Sequence, residues 1–108
     1  NLAERCGAPG AEISLRALPL MSGAQACLED GHLSSLHDAN LASVRVTGEA
    51  AALTRAGILF DPQTSGGLLA ALPVAVAENL CTALSDHGET AAIIGRLRPD
   101  QSGLSLVE

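Results

Sequence analysis

The chain breaks into short apolar stretches, each closed by Gly, Pro or a polar cluster. Asn1 to Cys6 reads as the last turn of a helix closed by Gly7 and Pro9, because Gly accepts the left-handed cap and Pro cannot continue a helix. Such a helix is expected to have lost its beginning, and Asn1 in place of Met fits a piece cut from a longer chain. Glu12 to Arg16 alternates, with Ile13 and Leu15 on one side, and predicts a half-buried strand that Pro19 ends. Ser22 is placed to cap a helix reaching Glu29, with Gly31 as its stop, and Ala24, Cys27 and Leu28 share one face. His32 to Ala42 has no sustained period and reads as a loop. Ser43 to Thr47 alternates again, as a short strand. Glu49 to Arg55 is Ala-rich and predicts a helix stopped by Gly57.

The following stretches are more apolar. Ile58-Leu59-Phe60 predicts a short buried strand, and Leu68 to Leu72 a second one. The loop Asp61 to Gly67 between them makes a hairpin-like pair with a long connection. Pro73 opens a helix running to about Asp86, with Ala77, Leu80, Cys81 and Leu84 as its apolar stripe and Gly88 as its cap. Ala91 to Leu97 predicts a strand, central in its sheet because Ile93 and Ile94 are apolar on both sides. Pro99 to Gly103 is a turn, and Leu104 to Val107 a last edge strand. The sum is an α+β domain, a mixed sheet with helices packed on it, occupying residues 1–108 as a single unit.

Composition narrows the function classes. Of 108 residues, 47% are apolar, yet the only aromatic is Phe60, so the core must be built from closely fitted aliphatic side chains. Only 17% are charged, which argues against disorder. The net charge is −6, all the basic residues are Arg, and no Lys occurs. An acidic chain without a basic run is a poor binder of nucleic acid or of anionic membranes. Any anion site must therefore use backbone amides, hydroxyls or an isolated Arg. Cys6, Cys27 and Cys81 are odd in number and widely spaced, which predicts buried thiols in a reducing, cytoplasmic setting rather than a disulfide framework or a zinc site. The longest apolar run, Leu68 to Ala77, is broken by Pro73 and is about half the length needed to cross a bilayer.

Chemistry concentrates at Asp61-Pro62-Gln63-Thr64-Ser65-Gly66-Gly67. Asp-Pro starts a turn, Thr64 and Ser65 set two hydroxyls side by side, and the glycines let a ligand approach backbone amides. Successive amides in such turns form anion-binding concavities. The loop is not a P-loop, since Gly-Lys-Ser/Thr is absent. A plain structural turn and a phosphate-facing site both fit these residues. Other polar residues carry weaker signals. His32 and His37 lie near Asp38 and have metal-ligand chemistry, but two loop histidines are more simply solvated. His87 is placed to cap a helix end, and Glu29-Asp30 is a solvated pair. Arg96 and Arg98 alternate on one strand face, as surface charge or as a phosphate contact. Asn40 is a loop hydrogen-bonder or a cleft contact.

The string from Ile58 to Leu69 resembles the signature of selenophosphate synthetases (selenide, water dikinases), near the end of their second domain. Asn40, the helix from Pro73 and Ala91-Ala92-Ile93-Ile94-Gly95-Arg96-Leu97 resemble flanking family elements more loosely. The resemblance implies a truncated carboxy-terminal domain of the aminoimidazole ribonucleotide synthetase-like fold. It implies an enzyme that converts selenide, ATP and water to selenophosphate, AMP and phosphate, and that dimerises through its first domain. ATP and Mg²⁺ would be held mainly by that first domain, with Asp61, Gln63, Thr64, Ser65, Gly66, Gly67 and Asn40 lining the phosphate or nucleotide cleft. No cysteine here matches a catalytic position, and without Lys the chain alone is expected to bind no cofactor and to be inactive. Neighbouring readings are a thiamine monophosphate kinase, a hydrogenase maturation factor, a module fused to a disulfide oxidoreductase, or a non-catalytic interaction domain.

Overall fold

The computed structural model describes residues 5–62 and 66–108. Four strands form one mixed sheet: β1 (Gly10–Ser14), β2 (Val46–Thr47), β3 (Gly95–Arg98) and β4 (Gly103–Val107), in the order β2-β4-β1-β3. β4 runs parallel to β2 and β1, and β3 pairs with β1 antiparallel. Among the described residues, three α-helices of six residues or more accompany the sheet: α1 (Ala24–Glu29), α2 (His37–Ala42) and α3 (Val74–Asp86). The α+β class is the one the apolar pattern predicts.

The strand order differs from the expected one in two places. β4, expected at an edge, lies inside the sheet with Leu106 at 0% exposure. β3, expected in the centre, is an edge strand that starts only at Gly95. Side-chain chemistry accounts for the exchange. Leu104 and Leu106 alternate toward the core, whereas Arg96 and Arg98 of β3 need water or carboxylates. Ile94 stops short of the strand, although its carbonyl accepts a hydrogen bond from the Ser14 amide at 2.9 Å.

The core lies between the sheet and two 3₁₀ segments. Leu15 and Leu106 from the sheet side meet Ala50 and Ala56, with Ile13, Val46 and Leu59 packed around them. The helix expected over Glu49 to Arg55 is instead a 3₁₀ turn at Glu49–Ala52, a break at Leu53 with ψ 139°, and a longer 3₁₀ segment at Thr54–Phe60. Gly57 does not stop that segment, and Ile58 to Phe60 are its last residues rather than a strand. Small alanines let these turns approach β4 closely. Gly48 makes the approach possible: its φ of 100° suits Gly, and an added Cβ would collide with the Leu106 backbone. Arg55 fastens the longer segment, donating from Nε to the Leu15 carbonyl and from Nη1 to Gln25 Oε1, each at 3.0 Å.

The helices follow their caps more closely than their starts. Ser22 does not cap α1; Gly23 holds that position without a side-chain bond. α1 and α3 both end in paired bonds around a left-handed Gly. His32 and Gly31 donate to Cys27 and Leu28, and Glu89 and Gly88 to Leu84 and Ser85. Pro73 stands at the start of α3, as predicted. α2 replaces an expected loop; Asp38 in its first turn favours the positive end of the helix. The second strand expected at 68–72 does not form, so there is no hairpin. Leu68 and Leu69 stand exposed. α3 has no buried residue and faces the sheet across an open groove of about 1430 Å³, lined among others by Ile13, Leu72, Ala77, Leu84, Ile94 and Leu104. Among the described residues, no helix is long and apolar enough to cross a membrane.

Candidate functional site

The Asp61 loop leaves the end of the longer 3₁₀ segment, and α2 holds that end. Asn40 Nδ2 donates to the Phe60 carbonyl at 2.9 Å. One turn earlier, His37 meets the Phe60 ring edge-on, with centroids 6.1 Å apart and planes at 88°. The Asp61 amide donates back to the Ile58 carbonyl at 3.3 Å, and Asp61 itself is extended. The polypeptide therefore enters the loop from a fixed turn. Gln63, Thr64 and Ser65 lie outside the described residues. Gly66 and Gly67 are exposed, and a Cβ added to Gly67 would meet nothing within 4 Å. Gly67 is not among the glycines with positive φ.

Beside the loop is a small cleft of about 170 Å³, lined by Cys27, Leu28, His32, Leu33, Ile58 and Asp61. The shared face of α1 predicted from Ala24, Cys27 and Leu28 is the wall of this cleft. The two loop histidines part company here. His32 is exposed at the cleft, while His37 is 8% exposed and turned to Phe60. The solvated reading is thus overturned for His37. Among the described residues no group of three metal-ligating side chains exists, so His32, His37 and Asp38 form no metal centre. The cysteines also differ from expectation: Cys6 and Cys27 are exposed thiols, and Cys81 is half-buried.

The two arginines of β3 are committed to carboxylates. Arg96 Nη2 and Arg98 Nη1 reach the two oxygens of Glu12 at 2.6 and 3.4 Å. Arg98 also forks onto Asp100, at 3.0 and 2.9 Å. Hydrogen bonding from Arg98 draws the Asp100 carboxyl down to about 2, and the same pairing raises the Arg98 guanidinium. These are surface ion pairs, not a phosphate site. His87 caps α3 as predicted, its Nδ1 lying 2.8 Å from the Ala83 carbonyl. A carbonyl only accepts, so the proton sits on Nδ1. Asn40 bonds to backbone at the loop entry. Sequence reasoning missed His37 and Arg55. The available signal for His37 was its spacing of three from Asn40, which puts both on one helical face.

No family model matches the chain. It is 32% identical to the selenide, water dikinase of Cronobacter sakazakii over 111 aligned positions, covering all of this chain and 32% of that protein. The chain is similar to a selenide, water dikinase over its whole length. Bdellovibrio bacteriovorus has a selenide, water dikinase 34% identical over 89% of this chain and 28% of its own length. That of Pseudomonas straminea is 39% identical over 83% of this chain and 28% of its own length. The similarity to selenide, water dikinases thus reaches beyond the Ile58 to Leu69 string to the rest of the chain. The segment spans about a third of the length of the curated relatives it matches.

Proposed function

We propose that this segment is the second domain of a selenophosphate synthetase and forms one wall of its ATP and phosphate cleft. The intact protein would convert selenide, ATP and water to selenophosphate, AMP and phosphate. Asp61, Gln63, Thr64, Ser65, Gly66 and Gly67 would face the phosphate, and Asn40 would hold the loop entry through Phe60. The carrying observation is the Asp-Pro-Gln-Thr-Ser-Gly-Gly string, whose first residue, Asp61, is exposed at the end of a pinned 3₁₀ turn, in a chain similar over its whole length to a selenide, water dikinase. Hydroxyls and backbone amides suit an anion where no Lys exists.

The described residues do not by themselves fit a magnesium site, because they supply no cluster of three ligands. Phosphoryl transfer depends on charge stabilisation by metal and cationic groups. Those groups belong, in this reading, to another part of the enzyme. The segment alone should bind ATP no better than millimolar, about −4 kcal/mol, in calorimetry. Micromolar affinity would place the main ligands here instead. In an active polypeptide containing this segment, Thr64→Ala with Ser65→Ala should lower selenophosphate formation by roughly 10²-fold, the scale of losing aligned donors to a developing charge. Its melting temperature should hold. Unchanged turnover returns the loop to a structural role.

A further inference from the structure

We infer that His37 is a positioning residue for the Asp61 to Gly67 loop, acting through Phe60; this rests on the phosphate-wall reading above. α2 places His37 and Asn40 three residues apart, on one face. Asn40 holds the carbonyl of Phe60, and His37 holds its ring. Two grips on one residue, one on backbone and one on side chain, fix the peptide plane from which Asp61 departs.

The fit on the other side is equally close. Residues three apart in a 3₁₀ segment lie one above the other, so Gly57 and Phe60 share the face toward α2. A Cβ added at Gly57 would stand 3.4 Å from His37 Cε1 and 3.0 Å from Leu28 Cδ1. The imidazole is wedged against the last turn before the loop at both levels. His37 Nδ1 is buried and makes no hydrogen bond among the described residues. An unpaired buried nitrogen is unfavourable, and an apolar side chain would fill the space without it. Core filling alone does not explain a histidine here. A flat ring standing perpendicular to Phe60, one residue before the loop, adds a contact that aliphatic filling lacks.

The test compares His37→Phe with His37→Leu. Phe keeps a flat ring that can stand perpendicular to Phe60, whereas Leu keeps apolar bulk without a ring. Amide hydrogen exchange in this chain reads the Asp61 N–H, bonded to Ile58, against the Leu104 N–H of the sheet, bonded to Arg45. His37→Leu should speed exchange at Asp61 by about tenfold relative to Leu104 and shift the Gly66 and Gly67 amide resonances. His37→Phe should restore both. Equal behaviour of the two variants, or acceleration spread evenly over both amides, overturns the inference. In an active polypeptide, His37→Leu should reduce kcat/KM for ATP by about tenfold, with His37→Phe near the parent. Loosening at Asp61 without any kinetic effect would leave the positioning role standing and sink the phosphate-wall reading.

Discussion

Two parts of the chain are both rich in apolar residues and behave in opposite ways. One joins the sheet to the 3₁₀ segments and buries Leu15, Ala50, Ala56 and Leu106. The other runs from Gly66 through α3 to Ile94, and there Leu68, Leu69, Val74 and Ile93 remain exposed. Hydrophobic residues do not bury themselves by composition. The closed region has backbone features that allow approach: the left-handed Gly48 against Leu106, alanines facing the sheet, and Arg55 tying distant carbonyls. The open region has a well-capped helix with a regular stripe, but Ala77, Cys81 and Leu84 line a groove and are only half-buried. Capping forms a helix; burial requires a matched surface.

The comparison is broken most directly by paired truncations. Leu106→Ala in the closed region should cost about 2–5 kcal/mol, the range for a fully buried leucine that leaves a cavity. Leu80→Ala on the stripe of α3, where the side chain is 42% exposed, should stay within about 0.5 kcal/mol. Urea midpoints at constant m-value measure both. Equal losses would mean that α3 packs on the sheet in solution and that the two regions are one core. A small loss at Leu106 would mean that the sheet centre is not the anchor of the fold.

The same contrast explains what the sequence disclosed. Local signals were legible: Pro73 and Gly88 bracket α3, alternation locates β1, and Gly31 ends α1. The family resemblance at the Asp61 loop was legible too, because a contiguous string needs no fold to be seen. What depends on a distant partner was not. β4 is interior because β1 and β2 come to it from far back in the chain, and nothing in Leu104 to Val107 records that. Ile58 to Phe60 form no strand because Asn40 and His37 hold them in a 3₁₀ turn, and three apolar residues carry no period of their own. α2 is only six residues long, too short for a pattern, and its role lies in what it grips. Leu68 to Leu72 has strand composition, but a strand is a pairing, and no described segment pairs with it.

The smallest expected effect sharpens the comparison at the rim of the closed region. Asp100 follows β3 and is held by the Arg98 fork, which lowers its carboxyl from 3.8 to about 2. A carboxyl lowered in the folded state favours folding where it is ionised. The contribution is therefore complete above about 3.8 and is lost as the pH falls through about 2. Asp100 is exposed, so solvent screens the pair and the contribution is slight. Asp100→Asn should leave the urea midpoint near neutral pH almost unchanged and flatten its decline in that acid window. A carboxyl resonance titrating near 3.8 in the parent would show that the fork does not persist in solution. Loss of folding at neutral pH in Asp100→Asn would be more damaging, because the turn between β3 and β4 would then depend on an exposed ion pair. The account above instead makes the packing of Leu106 on Leu15 and the small residues of the 3₁₀ turns the thing that holds the strands together.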